Sequence, residues 1–234
     1  MKLVLMQPYF FPYLGYFDLI NRSDRWIVFD TAQYIQQGWI NRNRVLHPNE
    51  GWRYIIAPVR KHSHTATIGE VMTDDTALWR KRLPRQLGHY RKAPFFAAVM
   101  RLVEEGLADP EPHIARLNVN LLERICRYLG IDFGYEFLSA MNLDLQDVRG
   151  PGDWGLQVSR ALGASEYVNA TGGGDLFDRV AFRDAGIKLT VVGPVTFTYD
   201  CNGFRFEPHL SIIDVLMWNA PAAVKSYLDS RLSG

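Results

Sequence analysis

The spacing of apolar residues in the first third of the chain predicts a βαβ unit, two strands with a helix between them. Residues 2–6 (KLVLM) are a short apolar run that ends at Gln7-Pro8, as a buried strand does. Apolar residues at helical spacing follow in 9–24, and a second strand, 25–30 (RWIVFD), ends at Asp30. This order implies parallel pairing and a right-handed crossover. A polar loop over 36–50 then leads to a third predicted strand over 51–59 (GWRYIIAPV).

The middle of the chain has a different pattern, with apolar residues three and four positions apart. The segments 76–90, 93–107 and 114–130 carry this spacing, and Asp109-Pro110 and Gly130 interrupt it. The pattern predicts a helical insertion at about 76–130. We expect this insertion to cover one edge of the sheet.

The last third returns to alternating strands and helices. Strands are predicted over 133–141, 165–170 and 188–192, and helices over 151–164, 177–187 and within 210–230. A glycine turn, Thr171-Gly172-Gly173-Gly174-Asp175, follows the strand at 165–170. Because no repeat or low-complexity linker divides the 234 residues, we predict a single α/β domain over 1–234, with a parallel-sheet core and the helical insertion.

The charge and composition of the chain exclude some classes of binding partner. The net charge is +1, with no run of five like charges, so the sequence carries no basic footprint for nucleic acid or for an anionic membrane. No signal peptide and no apolar stretch of about 20 residues are present, which predicts a cytoplasmic protein without membrane insertion. Two cysteines, Cys126 and Cys201, make no disulfide framework.

The turn after the first strand is the first candidate site. Ligands of open parallel sheets bind at the carboxyl ends of the strands, beside helix N-termini. The turn contributes two prolines and an aromatic cluster, and its candidate substrate-binding residues are Gln7, Tyr9, Tyr13, Gly15 and Tyr16. A hydrophobic plug that seats the first helix would explain the same residues.

The layout also resembles the nucleotidylyltransferase-like (HUP) superfamily, in which the first strand leads to a His-x-Gly-His loop and a helix. Here Tyr13-Leu14-Gly15-Tyr16 keeps the glycine and has tyrosine at both histidine positions. In that superfamily the histidines stabilise the α-phosphate during adenylyl transfer. The resemblance therefore implies the fold and argues against the reaction.

Two further candidates lie at the ends of later strands. Asp30 ends the second strand, and the polar residues after it include Gln33, Tyr34, Gln37 and the stretch 39–44 (WINRNR), in which Asn41 and Arg42 are the candidate binding residues. Arg42 could bind a carboxylate or phosphate, and amides and tyrosines bind sugar hydroxyls, although loop polarity explains half of this set. In the glycine turn, Asn169, Thr171, Gly172, Gly173 and Gly174 could bring backbone close to an anion, or form a tight turn only.

Two residues are candidates for a catalytic role, Asp30 and His209. His209 lies in 206–211 (FEPHLS), before a predicted helix and near Cys201. Because no nucleophile motif is present, a general base is the favoured role for His209. His62 and His64 are the only close histidine pair, and no nearby ligand completes a metal site, so no metal is predicted.

Several segments closely resemble the WbqC-like protein family, and the resemblance spans essentially the whole chain. They are MQPYFFPYLGYFDLI, VFDTAQY, GWINRNRVL, LFDRVAFRDAGIKL and FRFEPHLSIIDVLMWNA. The resemblance implies a bacterial protein of surface-polysaccharide or specialised-metabolite biosynthesis. It also implies that one site is lined or supported by the following residues: Gln7, Pro8, Tyr13, Gly15, Tyr16, Asp18, Asp30, Asn41, Arg42, Pro208, Ser211 and Asp214.

The sequence therefore leads to three hypotheses for function. The first is a transferase or ligase that forms an amide on an amino sugar or amino acid. Its acyl donor would be activated by ATP or arrive as a thioester of coenzyme A or a carrier protein, and the missing histidines favour the thioester. The second is a non-catalytic protein that binds a sugar nucleotide or a carrier. The third is a nucleotidyltransferase. The small-molecule substrate and the cofactor stay open.

Overall fold

The computed structural model describes residues 1–74, 76, 78–145 and 148–233, and at 173–175 and 233 only the backbone. Seven strands and eight α-helices lie in this part of the chain. The strands are β1 (Lys2–Met6), β2 (Arg25–Val28), β3 (Arg42–Leu46), β4 (Trp52–Ile56), β5 (Tyr135–Phe137), β6 (Glu166–Ala170) and β7 (Lys188–Val192). The helices are α1 (Leu14–Arg22), α2 (Leu78–Gln86), α3 (Phe96–Leu107), α4 (Ile114–Leu129), α5 (Asp153–Ala161), α6 (Arg179–Asp184), α7 (Ile212–Trp218) and α8 (Pro221–Ser230).

Five strands form one parallel sheet in the order β5-β2-β1-β6-β7. The predicted βαβ unit is confirmed, because β1 and β2 pair in parallel from Leu3 opposite Arg25 to Met6 opposite Val28. A second such unit is formed by β6, α6 and β7. The chain is thus an α/β protein with a parallel sheet.

Helices cover both faces of this sheet, and β1 is therefore buried on both sides. Leu3 and Leu5 pack with Leu156 and Val158 of α5 on one face. Val4 points to the other face, into the larger core cluster that includes α1 and the insertion. Successive side chains of a strand point to opposite faces, so a continuous apolar run is what a doubly covered strand requires.

The third predicted strand lies outside this sheet. It is β4, and it pairs antiparallel with β3 in a separate hairpin, Arg42 opposite Ile56 and Leu46 opposite Trp52. The expectation of a polar loop over 36–50 is wrong for β3, which has alternating exposure along RNRVL. Its two arginines lie on the outer face, so the strand has no continuous apolar run by which the sequence would predict it.

Helices and a 3-10 turn occupy 78–129, where the pattern predicts them. Ten residues of α4 are buried, among them the polar Asn118. Gly130 ends this helix in the left-handed conformation, with φ of 71°. At the C-terminus, α7 and α8 are two separate helices, and Pro221 begins the second one.

Candidate functional site

The strand order changes direction between β1 and β6, the two strands at the centre of the sheet. From β1 the chain continues to β2 and β5 on one side, and β6 and β7 follow on the other. In open α/β sheets, the connections after these two central strands leave in opposite directions and open a crevice at their carboxyl ends. The site is therefore expected where Met6 and Ala170 end their strands.

A cleft of about 590 Å³ lies at this point, and we call it the β1–β6 cleft. Its walls are formed by the turn after β1, the β3 strand and the loop before it, the glycine turn and the loop before α7. The lining residues are Met6, Tyr9, Tyr13, Trp39, Asn43, Arg44, Asn169, Ala170, Gly172, Leu176 and His209. No aspartate or glutamate is among these described residues, so Arg44 makes the cleft cationic.

The turn after β1 is held from several directions through its backbone carbonyls. Five hydrogen bonds reach it, one each from α1, α4 and β3 and two from the start of α7. The pairs are Tyr16 Oη to Gln7 O, Asn118 Nδ2 to Pro8 O, Asn43 Nδ2 to Phe10 O, Ser211 Oγ to Phe11 O and Ile212 N to Pro12 O, all between 2.7 and 3.1 Å. Such multiple anchoring keeps a site preorganised.

Tyr13 occupies the centre of this wall and determines why position 15 is glycine. A Cβ at Gly15 would lie 2.4 Å from the Tyr13 ring. The Tyr13 ring also meets the His209 ring edge-to-face, with centroids 6.2 Å apart. Burial raises the pKa of Tyr9 and of Tyr13, so both hydroxyls stay protonated and can donate hydrogen bonds.

Arg44 is the cation of the cleft. Its guanidinium lies close to two indole rings, with Cζ 5.5 Å from the Trp39 centroid and 5.0 Å from the Trp52 centroid. Nη2 donates to the backbone oxygen of His209 at 3.3 Å. The Nε atom is buried and has no hydrogen-bond partner among the described residues. A guanidinium close to indole rings suits an anionic group.

His209 is the one histidine that lines this cleft. It has a left-handed backbone, with φ of 57°, and is exposed. Cys201 is not its nucleophilic partner, because the thiol is buried and burial next to Asp214 raises its pKa to about 12. Cys126 is likewise buried, with a raised pKa. The role of His209 as a general base stays a prediction.

The glycine turn contributes backbone and one amide to the cleft. Thr171–Leu176 is a 3-10 helix directly after β6. The Thr171 hydroxyl donates to Val192 O at 2.7 Å, so it fastens the turn to β7 and does not line the cleft. Asn169 lines the cleft and donates to Tyr167 Oη at 3.0 Å. Gly172 also lines it, while only the backbone of Gly173 and Gly174 is described.

Asp30 lies at the same edge of the sheet but in another cavity. This cavity, the β2–β5 cleft, has a volume of about 560 Å³ and opens at the carboxyl ends of β2 and β5. The buried Asp30 carboxylate accepts hydrogen bonds from Ser139 N at 3.0 Å and from Ser139 Oγ at 2.5 Å. The two predicted catalytic residues, Asp30 and His209, therefore line different clefts.

Eight of the predicted binding residues line neither cleft: Gly15 and Thr171, described above, and six others. The Tyr16 hydroxyl is fully buried, and the Gln33 amide donates to His64 O. Arg42 stacks on Tyr54, with Cζ 4.2 Å from the ring centroid, and donates to Gln37 O. The backbone oxygen of Gln7 accepts a hydrogen bond from Tyr16. Tyr34 is buried against His62, and Asn41 donates to Ala57 O.

Three residues from the family resemblance support the site from behind. Asp18 is buried and pairs with Arg22 and Arg231, each at 3.0 Å. Ser211 caps α7 and holds Phe11 O. Asp214 accepts hydrogen bonds of 2.5 Å from Tyr90 and Tyr199, and burial raises its pKa to about 6.

Within the described ranges, no group of three or more His, Cys, Asp and Glu side chains is placed to hold a metal ion. None of the helices in that same part of the protein is long and apolar enough to cross a membrane.

Trp39, Asn43 and Arg44 belong to the polar stretch singled out after the second strand, but they are not among the predicted binding residues, and the structure places all three in the β1–β6 cleft. Arg42 is the arginine predicted from this stretch, because the sequence pattern predicts a loop where the strand at 42–46 lies. Sequence reasoning also missed His113 and Arg116 of the β2–β5 cleft. No local signal marks these two, because they reach the cleft through the packing of the insertion against a distant strand.

Comparison with known proteins identifies the family. The model of the WbqC-like protein family matches residues 7–226. An uncharacterized protein of Mycobacterium tuberculosis, Rv1507c, is 31% identical over 238 residues, which cover 97% of this chain and 97% of that protein. No solved structure shows a significant match. The match covers the turn after β1, the hairpin and the glycine turn, and the chain belongs to the WbqC-like protein family.

Proposed function

We propose that the protein is a transferase that forms an amide bond by moving an acyl group from a thioester to an amine. The pathway implied by the family is the biosynthesis of a bacterial surface polysaccharide or a specialised metabolite, and the amine belongs to an amino sugar or amino acid. One observation carries the proposal: the β1–β6 cleft combines a base, a cation and phenolic donors and has no carboxylate among its described lining residues.

Each of these groups matches one need of the reaction. The amine nitrogen attacks the thioester carbonyl, the C–N bond forms, and the C–S bond breaks. His209 takes the proton of the attacking amine and can return it to the leaving thiolate. The protonated hydroxyls of Tyr9 and Tyr13 can donate to the carbonyl oxygen as negative charge develops on it.

Arg44 selects the donor. Coenzyme A and the prosthetic arm of a carrier protein both carry phosphate, which a guanidinium binds well. Trp39 and Trp52, both close to Arg44, add flat apolar surface for the rest of the donor. We therefore favour a thioester donor of one of these two kinds.

The nucleotidylyltransferase-like layout is part of the same proposal. When only the strands of the main sheet are counted, their order is 3-2-1-4-5, the doubly wound order. Nucleotidyl transfer itself is disfavoured, because Tyr16 replaces a phosphate-binding histidine and its buried hydroxyl already donates to Gln7 O. ATP-dependent activation of the acid faces the same difficulty.

The test is release of coenzyme A from a panel of acyl-coenzyme A donors mixed with amino sugars and amino acids, followed with a thiol reagent. Both cysteines of the protein are buried, so released coenzyme A dominates the signal. We expect His209→Asn to lower kcat by about a hundredfold or more, as removal of a general base does. His64→Asn, a change of an exposed histidine outside both clefts, is the matched control.

A parallel series contains ATP, magnesium and the free acid in place of the thioester, with phosphate and pyrophosphate release as the readout. Turnover there, with none from thioesters, would replace the thioester transferase by an ATP-dependent ligase. Saturable binding of a donor without turnover in either series would favour the non-catalytic binding protein.

A further inference from the structure

The β2–β5 cleft has a lining opposite in character to that of the β1–β6 cleft. Its polar groups include three carboxylates, of Asp30, Glu70 and Glu111, one imidazole and one guanidinium. Its apolar surface comes from Pro112, Ala115 and Phe137. At about 560 Å³ the cavity has the size of a small-molecule site, and it opens at the carboxyl edge of the sheet. We propose that it binds an amino acid with an apolar side chain, an assignment that does not depend on the transfer reaction proposed above.

His113 has a defined tautomer in this cleft. Its Nδ1 lies 2.9 Å from Glu111 Oε1, and the same oxygen accepts from the His113 backbone N–H at 2.9 Å. An ionised carboxylate only accepts hydrogen bonds, so Nδ1 carries the proton. In neutral His113 the other nitrogen, Nε2, is then an acceptor, which suits an ammonium group.

Arg116 supplies the opposite charge. Its guanidinium lies over the Phe137 ring, with Cζ 5.6 Å from the centroid. Within the described residues it makes no hydrogen bond and no ion pair, so its donors are available to a carboxylate. The Phe137 ring that it covers is also the apolar platform of the cleft.

Thr31 also lines this cleft, and its hydroxyl oxygen is buried. Carboxylates and an imidazole for an ammonium, a free guanidinium for a carboxylate and an apolar platform together match a zwitterionic amino acid.

The assignment is tested by calorimetric titration of the full chain with L-phenylalanine, L-leucine, L-isoleucine and L-methionine. Two analogues of phenylalanine serve as chemical controls: N-acetyl-L-phenylalanine lacks the ammonium group, and phenethylamine lacks the carboxylate. We expect at least one of the four amino acids to bind. For phenylalanine, removal of either charged group is expected to weaken binding by about tenfold or more.

Arg116→Gln is the matched protein variant, since it keeps length and polarity and removes the charge. We expect it to weaken amino-acid binding by about tenfold and to abolish the preference for phenylalanine over phenethylamine. Arg101→Gln, at an exposed arginine of α3 outside both clefts, is expected to change neither.

Failure of all four amino acids to bind would overturn the assignment. So would unchanged binding in Arg116→Gln, or binding of phenethylamine as tight as that of a phenylalanine that binds to the unmodified protein. The analogue comparison needs no variant, so poor folding of Arg116→Gln would leave the test decisive. Turnover of thioesters is a separate measurement, and its absence would count against the transferase alone.

Discussion

The two clefts share one sheet edge and differ in how they are built. The β1–β6 cleft has walls whose backbone is fixed by buried groups, such as Asn118 and Ser211, and its charge comes from Arg44 on the hairpin. The β2–β5 cleft is lined by exposed charged side chains, among them Glu70 and Arg116. The parallel sheet thus determines where both clefts open. The hairpin and the helical insertion decide which charges line them.

This difference makes the two clefts suited to opposite ligands. The first offers a cation, phenols and indoles to an anionic, extended donor, and the second offers carboxylates and an imidazole to an amine. Amide formation combines an activated acid with an amine, so both kinds of ligand belong to the same class of chemistry. The following experiments test whether the clefts are as independent, and as differently supported, as their structures indicate.

The largest expected effect is on the rigid cleft, through Asn118→Ala. The Asn118 amide donates to Pro8 O at 2.8 Å and to Ile40 O at 2.7 Å, in a fully buried position. Its loss leaves two buried carbonyls unpaired and should lower the free energy of unfolding by about 2–4 kcal/mol. Urea unfolding measures this, with Asn120→Ala on the same helix, whose amide bonds the partly exposed Asp109, as the control. Equal effects of the two variants would contradict the special role of the buried anchor.

A pH-dependent effect of similar size is expected behind the same cleft, at Asp214. Burial raises its pKa to about 6, above the unfolded value of 3.8, so the folded state binds the proton more tightly. The contribution to stability is complete below about pH 4 and is lost as pH rises to about 6. For a shift of this size it amounts to about 3 kcal/mol.

The measurement is the difference in unfolding free energy between the unmodified protein and Asp214→Asn, followed from pH 4 to pH 7. Other carboxylates titrate in both proteins and cancel in the difference. We expect the unmodified protein to lose stability relative to the variant across this range. A difference that stays constant with pH would contradict the raised pKa.

A third effect separates the two clefts directly. Arg44→Gln should weaken binding of an anionic donor such as acyl-coenzyme A by about 1.5–3 kcal/mol, because it removes charged hydrogen bonds. Titration calorimetry with Arg44→Gln, Arg116→Gln and Arg101→Gln measures it. If Arg116→Gln weakened the donor as strongly as Arg44→Gln does, the two clefts would belong to one binding site.

The smallest expected effect is that of Gly15→Ala. The new methyl group would meet the Tyr13 ring at 2.4 Å, and the ring must move away into the β1–β6 cleft or the solvent. We expect a loss of about 1–2 kcal/mol in unfolding free energy, together with weaker donor binding. Gly88→Ala is the control, because a Cβ there meets nothing within 4 Å and its φ needs no glycine. Donor binding unaffected by Gly15→Ala would argue against a role for Tyr13 in the cleft.

The amino-acid sequence determined the local parts of this protein. The strand at 2–6, the helix after it and the next strand are predicted, because the spacing of apolar residues and the turn residues are local properties. The bounds differ: the helix is Leu14–Arg22 and not 9–24, and the second strand ends at Val28, two residues before Asp30. The turn after β1 and the glycine turn after β6 were identified as candidate sites for the same reason, and both line the β1–β6 cleft. Family membership also follows from the sequence alone.

The tertiary structure decided which residues meet. Strand order places β6 beside β1 although about 160 residues separate them in the chain, and no local pattern encodes that pairing. The hairpin sends Arg44, not Arg42, into the cleft, and the insertion brings His113 and Arg116 beside Asp30. Such contacts depend on long-range packing of whole elements. Residue spacing therefore predicted which turns carry candidate residues, but not which other residues line the same cleft.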